Sequence, residues 1–218
     1  MHEAAGLSVW KYFAIKSLVS RGVLYVVMTV LLLGCATSPP KSADNICNIF
    51  DEKPGWYKAS KKAADKWAGN IYVPMSIMFQ ESAFQAKAKP PIRWFAGIIP
   101  YGRPSDAYGY AQALDSTWAV YKRDTGSHFR SRSDFADAMD FIQWYMQQTA
   151  AKNRIPKTDA YRQYLNYHEG QGGYARGSYN KKPWLVKVAR KVEWRAQRYK
   201  AQLQQCSASL ERKRKWFF

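Results

Sequence analysis

Acidic residues are scarce in this chain of 218 residues, which has 16 aspartates and glutamates against 34 lysines and arginines and a formal net charge of +18. So basic a surface attracts polyanions, and nucleic acid is the usual candidate.

Histidine is scarcer still. There are three, and none is spaced from a second histidine, a cysteine or a carboxylate cluster as a metal site requires. We therefore expect neither a metal ion nor a cofactor.

Long apolar runs are also missing. The run from Val23 to Leu33 has eleven residues, too few to span a bilayer as a helix. Because it follows a basic start, residues 1–34 are interpreted as a signal peptide and not as a membrane anchor. The ending Leu32-Leu33-Gly34-Cys35 resembles the bacterial lipobox, which implies that Cys35 becomes a lipidated N-terminus. The alternative is a buried cysteine at the end of a core strand.

The residue after Cys35 bears on location. It is Ala36 and not the aspartate that resembles an inner-membrane retention signal. We therefore expect the protein in the periplasm, held by its lipid anchor at the outer membrane. We therefore expect no nucleic-acid partner, because an exported protein rarely meets nucleic acid. The alternative is that the basic surface only keeps the protein soluble and binds no particular partner.

Only two other cysteines are present, Cys47 and Cys206, and they bracket most of the chain. In an oxidising compartment two such residues are more often paired than free, so we predict a disulfide between them. The segment 35–50 is expected to be a lipidated N-terminus and tether, 51–206 one domain, and 207–218 a disordered basic tail. There is no internal repeat, and about 180 residues suffice for one core.

The segment from Pro74 to Phe84 places one carboxylate among apolar residues. Proline favours a first helical position, so Pro74 predicts the start of a short helix. In that helix Ile77 and Met78 lie on the same side as Glu81, as does Phe84. Burial raises the pKa of a carboxyl group, which lets a glutamic acid stay protonated near neutral pH and act as a general acid. The alternative is a helix-end glutamate with its carboxylate in water.

Helical patterns recur along the rest of the chain, near residues 56–67, 115–125, 134–153, 158–169 and 183–205. Room for β structure remains only around residues 86–108. There, residues 89–104 hold four prolines and two glycines, too many for a helix. That segment predicts a small hairpin or lid lining a cleft, or else a loop covering a flank of the core. The expected fold class is mainly α, of the α+β kind.

Three motifs occur in order: Gln80-Glu81-Ser82-Ala83-Phe84, Gly109-Tyr110-Ala111-Gln112-Ala113-Leu114 and Tyr167-His168-Glu169-Gly170. They resemble the signatures of the lytic transglycosylase SLT-domain family, whose usual forms are Glu-Ser, Gly-Leu-Met-Gln and Ala-Tyr-Asn-Ala-Gly. The resemblance covers roughly residues 56–205. It implies a lysozyme-like fold, peptidoglycan glycan strands as the partner, and a lipoprotein member of the family.

The resemblance also implies roles for individual residues. Glu81 matches the single catalytic glutamate, which acts first as acid and then as base, so that a 1,6-anhydromuramoyl end forms without water. Ser82 matches the serine that helps to hold the site, and Gln112 the amide suited to sugar hydroxyls. Tyr167 matches the tyrosine whose hydroxyl would hydrogen-bond the catalytic carboxylate. With Tyr110, these three are the candidate substrate-binding residues.

The third motif departs from the family pattern, because His168 and Glu169 stand where asparagine and alanine are usual. If Glu169 or Asp106 faced Glu81 across a cleft, a second carboxylate would support a lysozyme-like hydrolase. Alternatively, Glu169 is a solvent-facing charge at a helix end. His168 would then have a structural role and no part in catalysis. A third function class is a wall-binding lipoprotein without catalysis. The sequence names no protein partner.

Overall fold

The structure, a computed structural model, describes residues 38–216. Cys35 and the predicted signal peptide lie outside the described residues. The described part forms α1 (Ile46–Glu52), α2 (Pro54–Lys66), α3 (Tyr72–Ser82), β1 (Arg93–Phe95), β2 (Ile99–Gly102), α4 (Asp115–Thr125), α5 (Phe135–Asn153), α6 (Ala160–Ala175), a 3-10 turn (Ser178–Lys181) and α7 (Pro183–Trp216). The expectation of a mainly helical, lysozyme-like fold is confirmed.

Helix α5 lies at the centre of the core. It is buried around most of its circumference, as expected of a helix with neighbours on several sides. Helices α2, α3, α4 and α6 contact it, and α7 packs against α3, α6 and α1. The core is rich in aromatic rings; Trp56, for instance, stacks on Phe135 with ring centroids 3.9 Å apart.

Helix α3 is the short apolar helix expected around Pro74, and it begins two residues earlier, at Tyr72. The Asn70 side chain accepts a hydrogen bond from the Val73 backbone N–H at 2.9 Å, which satisfies a donor of the first turn. The helix ends at Ser82, because Ala83 and Phe84 both adopt left-handed backbone conformations with φ of 48° and 62°. This abrupt end fixes the position of Glu81 in the last turn.

Both ends of the described residues 38–216 differ from expectation. Residues 46–50, assigned to the tether, are helical, and Ile46, Ile49 and Phe50 are buried. The basic tail expected to be disordered continues α7 to Trp216, because Leu210 is buried against the core. Contacts between segments far apart in sequence thus order both ends.

The predicted disulfide between Cys47 and Cys206 is present, with Cα atoms 6.1 Å apart and 159 residues of sequence separation. Closing so long a loop stabilises a fold by roughly 2–4 kcal/mol. The bond ties α1 to α7. Among residues 38–216, no helix has the combination of length and apolar character that crossing a membrane requires.

Candidate active site

Glu81 lies in the last turn of α3, beside the buried side chains of Ile77, Met78 and Phe84. The apolar surroundings are those expected from its helical spacing. Burial raises the pKa of the Glu81 carboxyl to about 7 from an ordinary 4.5, and a hydrogen bond from Tyr164 opposes the rise. A carboxyl group with a pKa near neutrality can donate a proton or accept one near neutral pH.

Ser82 connects α3 to the second motif. Its hydroxyl lies 2.8 Å from the Tyr110 carbonyl oxygen and 3.2 Å from that of Met78, and it donates to these acceptors. The residue is 7% exposed. A direct substrate contact, expected for Ser82, does not fit this position, because its proton is engaged inside the protein. Ser82 instead holds the loop 109–113 against the end of α3.

Tyr110 is buried, with 2% exposure, and a substrate-binding role for it is wrong. Its ring meets those of Trp56 and Phe135 edge-on, with centroids 5.7 and 5.8 Å away. The Tyr110 side chain therefore belongs to the core. Tyr110 contributes to the site only through its backbone carbonyl oxygen, which accepts a hydrogen bond from the Ser82 hydroxyl.

Gln112 shapes the same loop and is partly exposed. Its Nε2 donates to the carbonyl oxygens of Ala88 at 3.0 Å and Gly109 at 2.9 Å. The amide nitrogen is thus engaged by backbone, and the amide oxygen remains as an acceptor for a sugar hydroxyl. Gly109 has φ of +78°, and a Cβ there would lie 2.0 Å from the Arg132 carbonyl oxygen, so only glycine fits this turn.

The tyrosine that hydrogen-bonds the Glu81 carboxyl is Tyr164, not Tyr167. Tyr167 donates instead to the Ala111 carbonyl oxygen at 2.6 Å, so the expectation of its bond to Glu81 is wrong. Burial, and next the Glu81 charge, raise the pKa of both tyrosines above its ordinary value, so both hydroxyls stay protonated. The sequence analysis did not single out Tyr164; the available signal was its position three residues before Tyr167, on the same side of α6.

Glu169 is not a solvent-facing charge, because its side chain is 4% exposed. The carboxylate accepts hydrogen bonds from Lys182 Nζ at 2.7 Å and from the Ser178 hydroxyl, and His168 Nδ1 lies 2.9 Å away. Burial alone would raise the pKa of Glu169, but these three partners outweigh it and lower the pKa to about 2. Helix α6 kinks at the next residue, Gly170, with φ of 70° and ψ of 157°.

A second carboxylate does not act on Glu81 in the part of the chain that the structure describes. The groups that shift its pKa include Tyr164 but neither Glu169 nor Asp106. Asp106 lies exposed in the loop after β2. The arrangement therefore presents one carboxyl group and two neighbouring tyrosine hydroxyls. Among residues 38–216, no three histidine, cysteine, aspartate or glutamate side chains are grouped as metal ligands.

Strands β1 and β2 form an antiparallel hairpin, one of the two structures expected for residues 89–104. Its side chains do not cover the core, since Trp94 is 53% and Phe95 67% exposed. At its base, the Ala88 carbonyl oxygen accepts from both Gly109 N and Gln112 Nε2. The hairpin therefore rises directly beside the loop that borders Glu81.

A family model described as a transglycosylase SLT domain matches residues 23–206, and this range includes all three motifs. Searches of curated proteins and of solved structures found no match.

Proposed function

Since the chain belongs to the transglycosylase SLT domain family, we propose that it is a peptidoglycan lytic transglycosylase. It cleaves the β-1,4 bond between N-acetylmuramic acid and N-acetylglucosamine without consuming water. The observation that carries this proposal is the Glu81 carboxyl group at the end of α3, which is partly exposed to solvent and has a pKa raised to about 7.

In the first step the protonated Glu81 carboxyl donates its proton to the glycosidic oxygen. The bond between that oxygen and the muramoyl C1 breaks, N-acetylglucosamine leaves as an alcohol, and positive charge develops at C1. A carboxyl group with pKa near the working pH is an effective acid for such a transfer. The Glu81 carboxylate that remains accepts a hydrogen bond from Tyr164.

In the second step the Glu81 carboxylate takes the proton from the 6-hydroxyl of the same muramoyl unit. The O6 atom bonds to C1 and closes a 1,6-anhydro ring, and Glu81 is again protonated. We assign Gln112 to sugar binding, because its amide nitrogen is engaged by the Ala88 and Gly109 carbonyl oxygens and its amide oxygen can accept a hydrogen bond from a sugar hydroxyl. Ser82, Tyr167 and Tyr110 act by holding the loop 109–113 in place.

The competing proposal, a lysozyme-like hydrolase, needs a second carboxylate as nucleophile or base. Glu169 is occupied by Lys182 and Ser178, so the geometry favours the single-carboxylate mechanism. A wall-binding lipoprotein without catalysis would not need the raised pKa of Glu81. The mass of products released from purified sacculi tests the assignment, because an anhydro end is lighter by one water than a reducing end.

For location, we propose a periplasmic protein anchored through a lipid on Cys35 at the outer membrane. The support is the sequence Leu32-Leu33-Gly34-Cys35 with Ala36 after it. From Cys35 onward the chain has 31 lysines and arginines and 15 aspartates and glutamates, a net charge of +16. This charge suits the carboxylates of peptidoglycan stem peptides as partners.

A further inference from the structure

The β1–β2 hairpin stands out from the domain, because every residue of both strands is exposed. Its chain reverses at Ala96 and Gly97, which have φ of 49° and 76°. The Ile98 backbone N–H donates to the Phe95 carbonyl oxygen at 3.1 Å across this turn. Positive φ at both central residues is typical of the tight turns that close hairpins. The hairpin is therefore a preformed projection with a defined tip.

The exposed side chains of this projection are large and apolar. At the tip, Ile98 is 75% exposed, Phe95 67% and Ile99 55%. Phe95 is paired with Ile99 across the two strands, and Trp94 with Pro100. Paired residues share a face, and successive residues along a strand alternate between the faces. Apolar surface therefore lies on both faces of the hairpin and at its turn, and a patch of this kind marks a surface that meets a partner.

The charges around the hairpin are all of one sign. Residues 82–105 contain no aspartate or glutamate and four basic residues, Lys87, Lys89, Arg93 and Arg103. Within residues 38–216, none of the four forms an ion pair with a carboxylate. Lys89 lies over the Tyr108 ring and Arg103 donates to a backbone carbonyl oxygen, and neither contact neutralises a charge. Lys87 and Arg93 are exposed.

These two properties together favour lipid as the partner of the hairpin tip. A glycan strand or a protein surface would cover one face of a two-stranded hairpin and leave the other in water. Lipid instead surrounds an inserted tip on all sides, so that the apolar surface of both faces is buried, which is favourable. The positive charges complement a surface of anionic phospholipids, which attracts lysine and arginine side chains close to it.

We propose that the hairpin tip, formed by Phe95, Ile98 and Ile99, inserts into the surface of an anionic phospholipid membrane. The hairpin base is hydrogen-bonded through Ala88 to Gln112, so insertion brings the candidate active site close to the membrane and to the glycan strands nearest to it. Trp94 is nearer the base than the tip and remains available to a glycan strand. Insertion involves no step of the proposed reaction.

A fluorescent label at the tip tests the proposal. In Ile98→Cys the new thiol is labelled with nitrobenzoxadiazole, whose emission depends on its surroundings; Cys47 and Cys206 form the disulfide and do not react. Wild-type protein carried through the same labelling measures any signal from Cys35. The labelled protein is mixed with phosphatidylcholine vesicles, with or without phosphatidylglycerol. We expect the emission to move to shorter wavelength and to be quenched by brominated acyl chains.

Both effects should increase with phosphatidylglycerol and decrease at high salt, which screens the charges. The matched control for the label is Trp194→Cys on α7, where the wild-type side chain is also exposed; its label should show neither effect. In the Ile98→Cys background, Lys87→Gln with Arg93→Gln should lose the increase that phosphatidylglycerol causes. Lys187→Gln with Lys191→Gln, at exposed positions on α7, should keep that increase.

Equal spectra for the labels at residues 98 and 194, or no dependence on phosphatidylglycerol, would overturn the proposal. A shift that grows with protein concentration without vesicles would assign the tip to a second copy, and a shift caused by soluble glycan fragments but not by vesicles would assign it to the substrate; both contradict the proposal. Glu81→Gln should insert like the parent protein, so failure of insertion and failure of the proposed reaction are seen separately. The salt series on labelled Ile98→Cys decides the matter even if a double variant fails to fold.

Discussion

Tyr164 donates the hydrogen bond that stabilises the Glu81 carboxylate, while Tyr167, the motif tyrosine, donates to the backbone of Ala111. The two hydroxyls lie one helical turn apart on α6 and have different tasks. Tyr164 tunes the carboxyl group itself, and Tyr167 holds the loop that carries Gln112.

This division predicts the effect of Tyr164→Phe on the pH dependence of activity. The Tyr164 hydrogen bond lowers the pKa of Glu81, so its loss should raise that pKa further, by about half to one pH unit. The alkaline limb of the rate profile, where Glu81 loses its proton, should move to higher pH. Turnover of sacculi or of a soluble muropeptide polymer, measured across pH, checks this.

Tyr167→Phe is the matched control. It removes a bond to Ala111 and should lower the free energy of unfolding by about 1 kcal/mol, with a smaller shift of the alkaline limb. If the two variants moved the limb equally, or if Tyr167→Phe moved it more, the assignment of the hydrogen bond to Tyr164 would be wrong.

Glu81→Gln should give an inactive but more stable protein. The pKa of Glu81 is raised on folding from 4.5 to about 7, so the folded state binds the proton more tightly. The wild-type free energy of unfolding therefore falls as pH rises from about 4.5 through 7, by up to about 3 kcal/mol. A neutral glutamine avoids this loss, while activity should drop by about 10²–10⁴-fold or more.

Thermal denaturation of Glu81→Gln and wild type at pH 5 and pH 8 measures the stability effect. The variant should melt higher at pH 8, and the difference should shrink at pH 5. A difference independent of pH would contradict a raised pKa for Glu81, and retained activity would contradict its catalytic role.

Glu169→Gln should affect stability more than chemistry. The pKa of Glu169 is lowered to about 2, so its carboxylate contributes stability above the unfolded value of 4.5, which is lost as pH falls toward 2. Because Lys182 is 40% exposed and solvent screens the pair, we expect a loss of about 1–2 kcal/mol at pH 7. Urea denaturation measures it.

The control for Glu169→Gln is Glu193→Gln. Glu193 pairs with Arg190, which is 64% exposed, so this substitution should lower the free energy of unfolding by less than about 1 kcal/mol. Both variants should release the same products as wild type. A change of product in Glu169→Gln would revive Glu169 as a second catalytic carboxylate.

Particular residues show which features the sequence could and could not predict. The surroundings of Glu81 follow from spacing within one helix, so they were predictable. The burial of Glu169 depends on Lys182 and Ser178, which reach it only after the chain turns at Gly170. The periodicity of apolar residues within one helix does not predict such a contact.

The same reasoning applies to other corrected expectations. The sequence pattern around an aromatic residue is consistent either with the hydrophobic core or with the active site. Neither Tyr110 nor Tyr164 could therefore be assigned to one of the two from the pattern alone. The tail after residue 206 has few apolar positions, and its helix is ordered by Leu210 and by bonds from Tyr57 to Glu211 and from Lys213 to Asp51. These partners are more than 150 residues away in sequence.

The hairpin predicts an effect on substrate binding. Trp94 is 53% exposed, and the hairpin base is bonded to Gln112, so we expect Trp94→Ala to raise KM several-fold with little change in kcat or stability. Aromatic faces commonly contact sugar rings through apolar surface. Trp194→Ala on α7, where the side chain is 59% exposed, is the matched control and should leave KM unchanged. Equal KM values for Trp94→Ala and Trp194→Ala would show that the hairpin does not contact the substrate.

The central claim is that Glu81 alone serves as acid and then as base, and the products decide it. Purified sacculi are digested with the wild-type protein, and the released muropeptides are identified by mass spectrometry. The single-carboxylate mechanism predicts 1,6-anhydromuramoyl ends, each lighter by one water than a reducing end. Release of reducing-end muropeptides alone would contradict the account and assign the protein to the hydrolases.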